Sequence, residues 1–323
     1  MKILFVGTPD FAVVSLKAII EDGKHEIVGV ITAPDKPKGR GMSLAQSDVK
    51  KYALDNNIKI FQPEKIRKNP EFIEEIKSLN ADVACVVVYG KILPKEFLDL
   101  FPKGCINVHP SLLPKYRGAA PIQWAIINGD KETGVCTMYL DVGMDDGDVI
   151  KREVVQIGEE ETAGELWDRL SVLGSELLVK TINDISNGII NRTVQTGEVV
   201  IAPKIEKEMS KIDWNTKNAQ EIKNLMRGLT PGFGVYSTLN KKMIKFWKAS
   251  VMDEKDFSDN YSILNIEKLD SGTVILVNEK QGLFIKTKQG ILSISEIQGE
   301  NAKRMSILDF LRGNHIEVGS KFQ

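Results

Sequence analysis

Apolar and polar positions change period along the chain in a repeating way. Residues 2–6 are an apolar run behind one charge, as a strand buried on both faces should be. Gly7, Thr8, Pro9 and Asp10 then turn into a helix, with Thr8 as its expected cap and Pro9 in its first position. Phe11, Val14, Leu16, Ile19 and Ile20 give that helix an apolar face, and Glu26–Ile31 reads as a second strand. Strand, helix and strand in so short a span make a βαβ unit, which implies a parallel pair and a right-handed crossover. Expected helices at 45–56 and 70–79, and strands at 59–62, 83–89, 104–109 and 134–140, continue the alternation. Thr162, Ala163, Gly164 and Glu165 spell a capping box, followed by Leu166, Leu170, Leu173 and Leu177 on one helical face.

The texture changes after Gly188. Residues 189–210 keep no helical period and read as a linker with extended pieces. A second unit opens at residues 211–214, with a helix over 221–227. Five short strands follow at Val235–Leu239, 243–249, 272–277, Gly282–Lys286 and 290–297, separated by turn residues. That spacing suggests a small barrel or Greek-key β domain. The expected division is therefore a first domain over 1–188, a linker over 189–208 and a second domain over 209–323. The expected fold class is α/β, a Rossmann-like, mostly parallel sheet followed by a β domain.

Bulk properties narrow the function. The 323 residues are 42% hydrophobic and 27% charged with net charge −1, so no whole-chain field draws the protein to nucleic acid. Any such site must be local, and residues 201–250 offer one. Lys204, Lys207, Lys211, Lys217, Lys223, Arg227, Lys241, Lys242, Lys245 and Lys248 stand against only Glu206, Glu208, Asp213 and Glu221. This is either a solvated lysine face or a backbone-binding surface. A second basic stretch, residues 34–41, carries Lys36, Lys38 and Arg40 between prolines and glycines. It is either an exposed linker or a phosphate-gripping arm.

Cys85, Cys105 and Cys136 have neither disulfide parity nor metal-ligand spacing, and read as reduced core residues of a cytosolic protein. No metal is expected. The opening apolar run reaches Gly7 too soon for a signal h-region, and no run is long enough for a membrane span. Gly7-Thr8-Pro9-Asp10 is not a dinucleotide fingerprint, since Pro9 removes an amide that would face a pyrophosphate.

The strongest chemical signal is Asn107-Val108-His109 at the end of a strand. Residues two apart share a strand face, so an amide and an imidazole project together. That pairing suits stabilising an oxyanion and moving a proton. Asp141, Asp145, Asp146 and Asp148 place carboxylates at another strand end, where one could orient the imidazole. Ser111 and Cys105 lack a nucleophile elbow and a base.

Asn107-Val108-His109, the following Ser111-Leu112-Leu113-Pro114 and the later Asp141, Asp145 and Gly147 together resemble the folate-dependent formyltransferase family. Residues 7–11, 39–41, 89–94, 117–123, 212–214 and 247–249 extend the likeness. They direct it to members whose acceptor is initiator methionyl-tRNA. The resemblance implies 10-formyltetrahydrofolate as formyl donor, with Asn107, His109 and Asp145 as catalytic trio. It implies a folate pocket of Tyr89, Gly90, Ile92, Leu93, Ser111, Leu112, Leu113, Pro114, Val142, Gly143 and Met144. It further implies an OB-like second domain, with tRNA contacts from Lys36, Lys38, Arg40, Lys204, Lys207, Lys211, Lys241, Lys242, Lys245 and Lys248. A sugar-nucleotide formyltransferase, a purine-pathway formyltransferase, a formyl-folate hydrolase and a non-catalytic folate- or RNA-binding module are the alternatives.

Overall fold

A computed structural model describes residues 1–38, 43–261 and 265–323. They cluster in two units. The first is Met1–Pro121, Glu132–Gln156 and Trp167–Pro203; the second is Ile122–Lys131, Ile157–Leu166 and Lys204–Gln323.

In the first unit, β1 (Lys2–Gly7), β2 (Glu26–Ile31), β3 (Ile60–Phe61), β4 (Val83–Val87), β5 (Cys105–His109), β6 (Glu132–Tyr139) and β7 (Val149–Gln156) form one sheet. Its order is β7-β6-β5-β4-β1-β2-β3. Strands β3, β2, β1, β4 and β5 run parallel, while β6 and β7 pair antiparallel at one edge. The expected mostly parallel α/β sheet is present. Its β1 is buried on both faces, with Ile3, Leu4, Phe5 and Val6 fully covered. One face packs Leu4, Val6, Ile31 and Val86 against Phe61, Phe72, Ile76 and Phe97. On the other, Gly174 of the long helix Ala163–Ser186 lies against Val108 and Val135. That helix begins at the capping box read from the sequence, where Thr162 and Glu165 exchange hydrogen bonds.

Three local expectations change. Thr8 does not cap the first helix, Asp10–Asp22, because Pro9 takes the cap position in an extended conformation. The Thr8 hydroxyl instead donates to the Tyr89 carbonyl at 3.3 Å. The helix expected over 45–56 starts at Asp48, where the Ser47 hydroxyl accepts the Lys50 N–H. Ala45 instead ends a short strand, Ser43–Ala45, that pairs antiparallel with Lys36–Lys38. Strand β7 was not expected at all. Its exposed charges Arg152 and Glu153 suit an edge strand, and with Lys151, paired to Asp184, they hide its period.

Gly134 lets β6 approach its neighbour. A Cβ there would lie 2.1 Å from the Glu153 carbonyl oxygen and 2.6 Å from Leu112 Cδ2. Gly134→Ala should therefore cost about 1–3 kcal/mol of stability by overpacking, checked by the denaturant midpoint. An unchanged midpoint would show that the edge strands yield freely.

In the second unit, β8 (Val235–Leu239), β9 (Lys242–Met252), β10 (Val274–Asn278), β11 (Gly282–Lys286) and β12 (Ile291–Gly299) form a sheet in the order β8-β9-β12-β11-β10. Every pair is antiparallel. Asn240 and Lys241, both with positive φ, make the tight turn from β8 to β9. Helix Ala219–Leu229 covers the sheet behind its own capping box of Asn218 and Glu221. Trp214, Ile222, Leu225, Phe246, Ile285 and Phe322 share the core. The indole N–H of Trp214 donates to the Ser237 hydroxyl at 2.9 Å. Helices Glu254–Tyr261 and Ile307–Gly313 were not expected. No helix among the described residues is long and apolar enough to cross a membrane.

Candidate active site

Asn107 and His109 close β5 at the C-terminal edge of the parallel strands, where open α/β sheets hold ligands. Both are largely buried, at 9% and 4% exposure. The imidazole Nε2 lies 2.9 Å from the Tyr116 carbonyl oxygen. A carbonyl only accepts, so Nε2 carries the hydrogen and Nδ1 is the nitrogen left for chemistry. Among the described residues the Asn107 side-chain amide has no protein hydrogen bond. It is a largely buried dipole with its bonding capacity unspent.

The loop between β6 and β7 brings the third group. Asp145 Oδ2 sits 3.7 Å from His109 Nδ1, beyond a direct hydrogen bond but close enough to face any proton there. The same oxygen accepts the Gly118 N–H at 2.8 Å. Asp145 has φ +50°, a left-handed conformation that aspartate tolerates better than most residues. Gly118 is required on steric grounds: φ is +120°, and a Cβ would lie 2.8 Å from the Ala202 carbonyl oxygen.

The other sequence-selected residues fall into distinct environments. Ser111 is fully buried and donates to the Lys115 carbonyl at 2.6 Å, so its hydroxyl is engaged. Leu112 and Pro114 are half-buried, and Leu113 packs with Cys136, Met138 and Val149. The Tyr89 and Leu93 side chains join the core on one face of the sheet. The Tyr89 hydroxyl has no partner there, and burial pushes it up to about 12. Gly90 and Gly143 are exposed. Ile92, Val142 and Met144 present apolar side chains to solvent at 88%, 61% and 56% exposure. All three cysteines are buried, and burial raises each thiol, which removes Cys105 as a nucleophile.

Among the lysines, Lys36 is exposed in its short strand. Lys38 ends that strand, and Arg40 lies outside the described residues. Lys204, Lys207, Lys211, Lys241, Lys242 and Lys248 are exposed, Lys204 beside Glu206. Lys245 is half-buried, donates to the Phe233 carbonyl and lies over the Trp247 ring. Lys223 pairs with Glu160, and Arg227 donates to the Gly158 and Glu161 carbonyls, so both are engaged locally. No cluster of metal-ligating side chains occurs among the described residues.

The sequence did not point to Gln195, which also touches the Asp145 loop. It sits in a polar stretch with no pattern to mark it.

An amide and an imidazole at the end of β5, with a carboxylate facing the imidazole from the β6–β7 loop, are groups suited to stabilising an oxyanion and moving a proton. The chain belongs to the formyltransferase family: residues 1–182 match the family described as formyl transferase, and residues 204–315 its C-terminal domain. It is 49% identical over 320 residues to a methionyl-tRNA formyltransferase of Clostridioides difficile, covering 99% of both chains. It is 47% identical over 323 residues to one of Agathobacter rectalis, covering 100% of this chain and 99% of that one.

Among solved structures, an N-formyltransferase of Helicobacter canadensis, in complex with folinic acid and dTDP-3-aminofucose, superposes with TM-score 0.64 at 21% identity. The match covers 94% of this chain and all of that one. HypX of Aquifex aeolicus, in complex with tetrahydrofolic acid, superposes with TM-score 0.62 at 16% identity; this chain spans about half its length, 50%. These two structures share the fold.

Proposed function

We propose that this protein transfers the formyl group of 10-formyltetrahydrofolate to the α-amine of initiator methionyl-tRNA, giving N-formylmethionyl-tRNA for translation initiation in the cytoplasm. The observation that carries the reading is the unspent Asn107 amide on the strand face it shares with His109, whose ring faces Asp145, in a chain alike from end to end to methionyl-tRNA formyltransferases.

The reaction needs a neutral amine to attack a formyl carbon, and negative charge then builds on the formyl oxygen. The Asn107 N–H is a fixed donor for that oxygen. The Nε2–H of His109 is held by Tyr116, so the ring works through Nδ1. In the neutral ring Nδ1 can take a proton; protonated, it can donate one. Asp145 faces that proton and balances its charge, and receives the attacking amine's proton directly or through water; as the oxyanion collapses to the carbonyl the bond from the formyl carbon to the folate nitrogen breaks, and that nitrogen takes the proton and leaves as tetrahydrofolate. The folate fits the loops on either side: Ile92, Val142 and Met144 offer exposed apolar surface that a flat ring system would cover. Tyr89, Gly90, Leu93, Ser111, Leu112, Leu113, Pro114 and Gly143 would complete the lining, Gly90 and Gly143 from exposed positions and Leu112 and Pro114 from half-buried ones.

The antiparallel second sheet is read as an OB-like barrel, and residues 1–188 and 209–323 as the two functional domains. The exposed lysines Lys204, Lys207, Lys211, Lys241, Lys242 and Lys248, with Lys245, would follow the tRNA backbone. Lys36, Lys38 and Arg40 would grip phosphate from the first unit. The test is formyl transfer with charged initiator tRNA, an amino-sugar nucleotide or water as acceptor. Rapid transfer to tRNA alone is expected, falling steeply with salt. Replacing Lys241, Lys242 and Lys248 together by alanine should flatten the salt dependence by roughly one unit of slope for each phosphate that is no longer neutralised. Transfer to the sugar or to water instead would overturn the acceptor.

A further inference from the structure

Residues 193–202 lie on the first unit as a strap. Thr193 bridges to Val149 through two backbone hydrogen bonds of 2.9 Å. Ile201–Ala202 pairs in parallel with Arg117–Gly118, the dipeptide whose glycine N–H holds Asp145. Between these stitches the flanking side chains Val194 and Thr196 face solvent, while Gln195 is half-buried.

Its amide is saturated. Nε2 donates to the Asp145 and Gly147 carbonyls, both at 2.8 Å. Oε1 accepts from Arg117 Nε at 3.1 Å and Nη2 at 2.7 Å. Arg117 can only donate and the two carbonyls can only accept, so the amide has one workable orientation. Asp145 is thus held from two directions: Gly118 grips its carboxylate and Gln195 grips its backbone, at a residue in the left-handed region.

We propose that Gln195 is a positioning residue for Asp145, and that through it the 193–202 strap completes the active-site geometry. The proposal rests on the role given to Asp145 above. Small displacements of a reacting group cost rate steeply. A loosened Asp145 turn should therefore lower turnover without unfolding the protein.

Gln195→Glu separates the two halves of the clamp. A carboxylate still accepts from Arg117, but it presents an oxygen to two carbonyl oxygens. The full-length variant should lose ten- to a hundredfold in kcat for formyl transfer, with KM for the acceptor changed less than threefold and Tm near that of the parent. Gln195→Ala, which repels nothing, should lose kcat in the same direction.

A second readout does not depend on the acceptor. The chain has only three histidines, so nitrogen-15 imidazole spectra resolve each ring, with His109 identified by its loss in His109→Gln. The His109 resonances should move in both Gln195 variants while those of His25 and His315 stay. Unmoved His109 signals with kcat within twofold of the parent would overturn the proposal, as would kcat losses that merely follow a falling Tm. If the parent itself formylates no tRNA, the proposed function fails, and the imidazole spectra still decide the role of Gln195.

Discussion

Asn107→Ala should lower kcat by about 10²–10³-fold, the loss of about 3–4 kcal/mol seen when one fixed donor to a developing oxyanion is removed. The expectation is sharp because of what Asn107 does not do. Its amide bonds nothing else among the described residues, so truncation strands no buried partner. The backbone of β5 remains paired on both sides, to β4 through Val86 and to β6 through Met138. Tm should therefore change little, and so should KM for either substrate, since the bond is made only as charge develops. Asn107→Asp sets the sign. It keeps the shape but turns the donor into a negative acceptor, and should be the slower of the two variants. Steady-state kinetics on both, beside a melting curve, check this. A fall in Tm matching the fall in kcat, or an aspartate variant faster than the alanine one, would remove Asn107 from the oxyanion.

The same residue shows why parts of this site could be read from the sequence. Period-two spacing puts Asn107 and His109 on one face of any strand, and a strand was visible in its apolar flank. Asp145 was legible only as one carboxylate among four in residues 141–148. Choosing it took the family resemblance, because nothing local says which of the four turns back over β5. Gln195 was illegible: its role comes from partners 48–78 residues away in sequence. Likewise β1 and β4 were readable because burial on both faces writes a continuous apolar run. Edge strand β7 was not, because its exposed face is free to carry charge. Thr8 shows the limit of local rules. Threonine is a good cap, but the helix begins one residue later than that rule implies, with Pro9 at the cap in an extended conformation, and the hydroxyl crosses to Tyr89 instead.

Asp145→Asn should be the most informative single substitution in the trio. The asparagine side-chain oxygen can still accept the Gly118 N–H, and its backbone carbonyl still meets Gln195, so the turn stays in place. What disappears is the charge facing His109 Nδ1 and the oxygen able to take a proton from the amine. Loss of a positioned proton acceptor typically costs about 10²–10⁴ in rate, so kcat should fall in that range while folate affinity by equilibrium binding holds within a few-fold. Asp145→Ala also gives up the Gly118 hydrogen bond, and should add a loss of folate affinity through the neighbouring Val142 and Met144. The ordering separates two jobs of one residue: charge for turnover, hydrogen bonding for loop shape. If Asp145→Asn turns over at the parental rate, the proton goes elsewhere and Asp145 serves only as a loop anchor. If asparagine and alanine weaken folate binding equally, the carboxylate contributes to the pocket rather than to the chemistry.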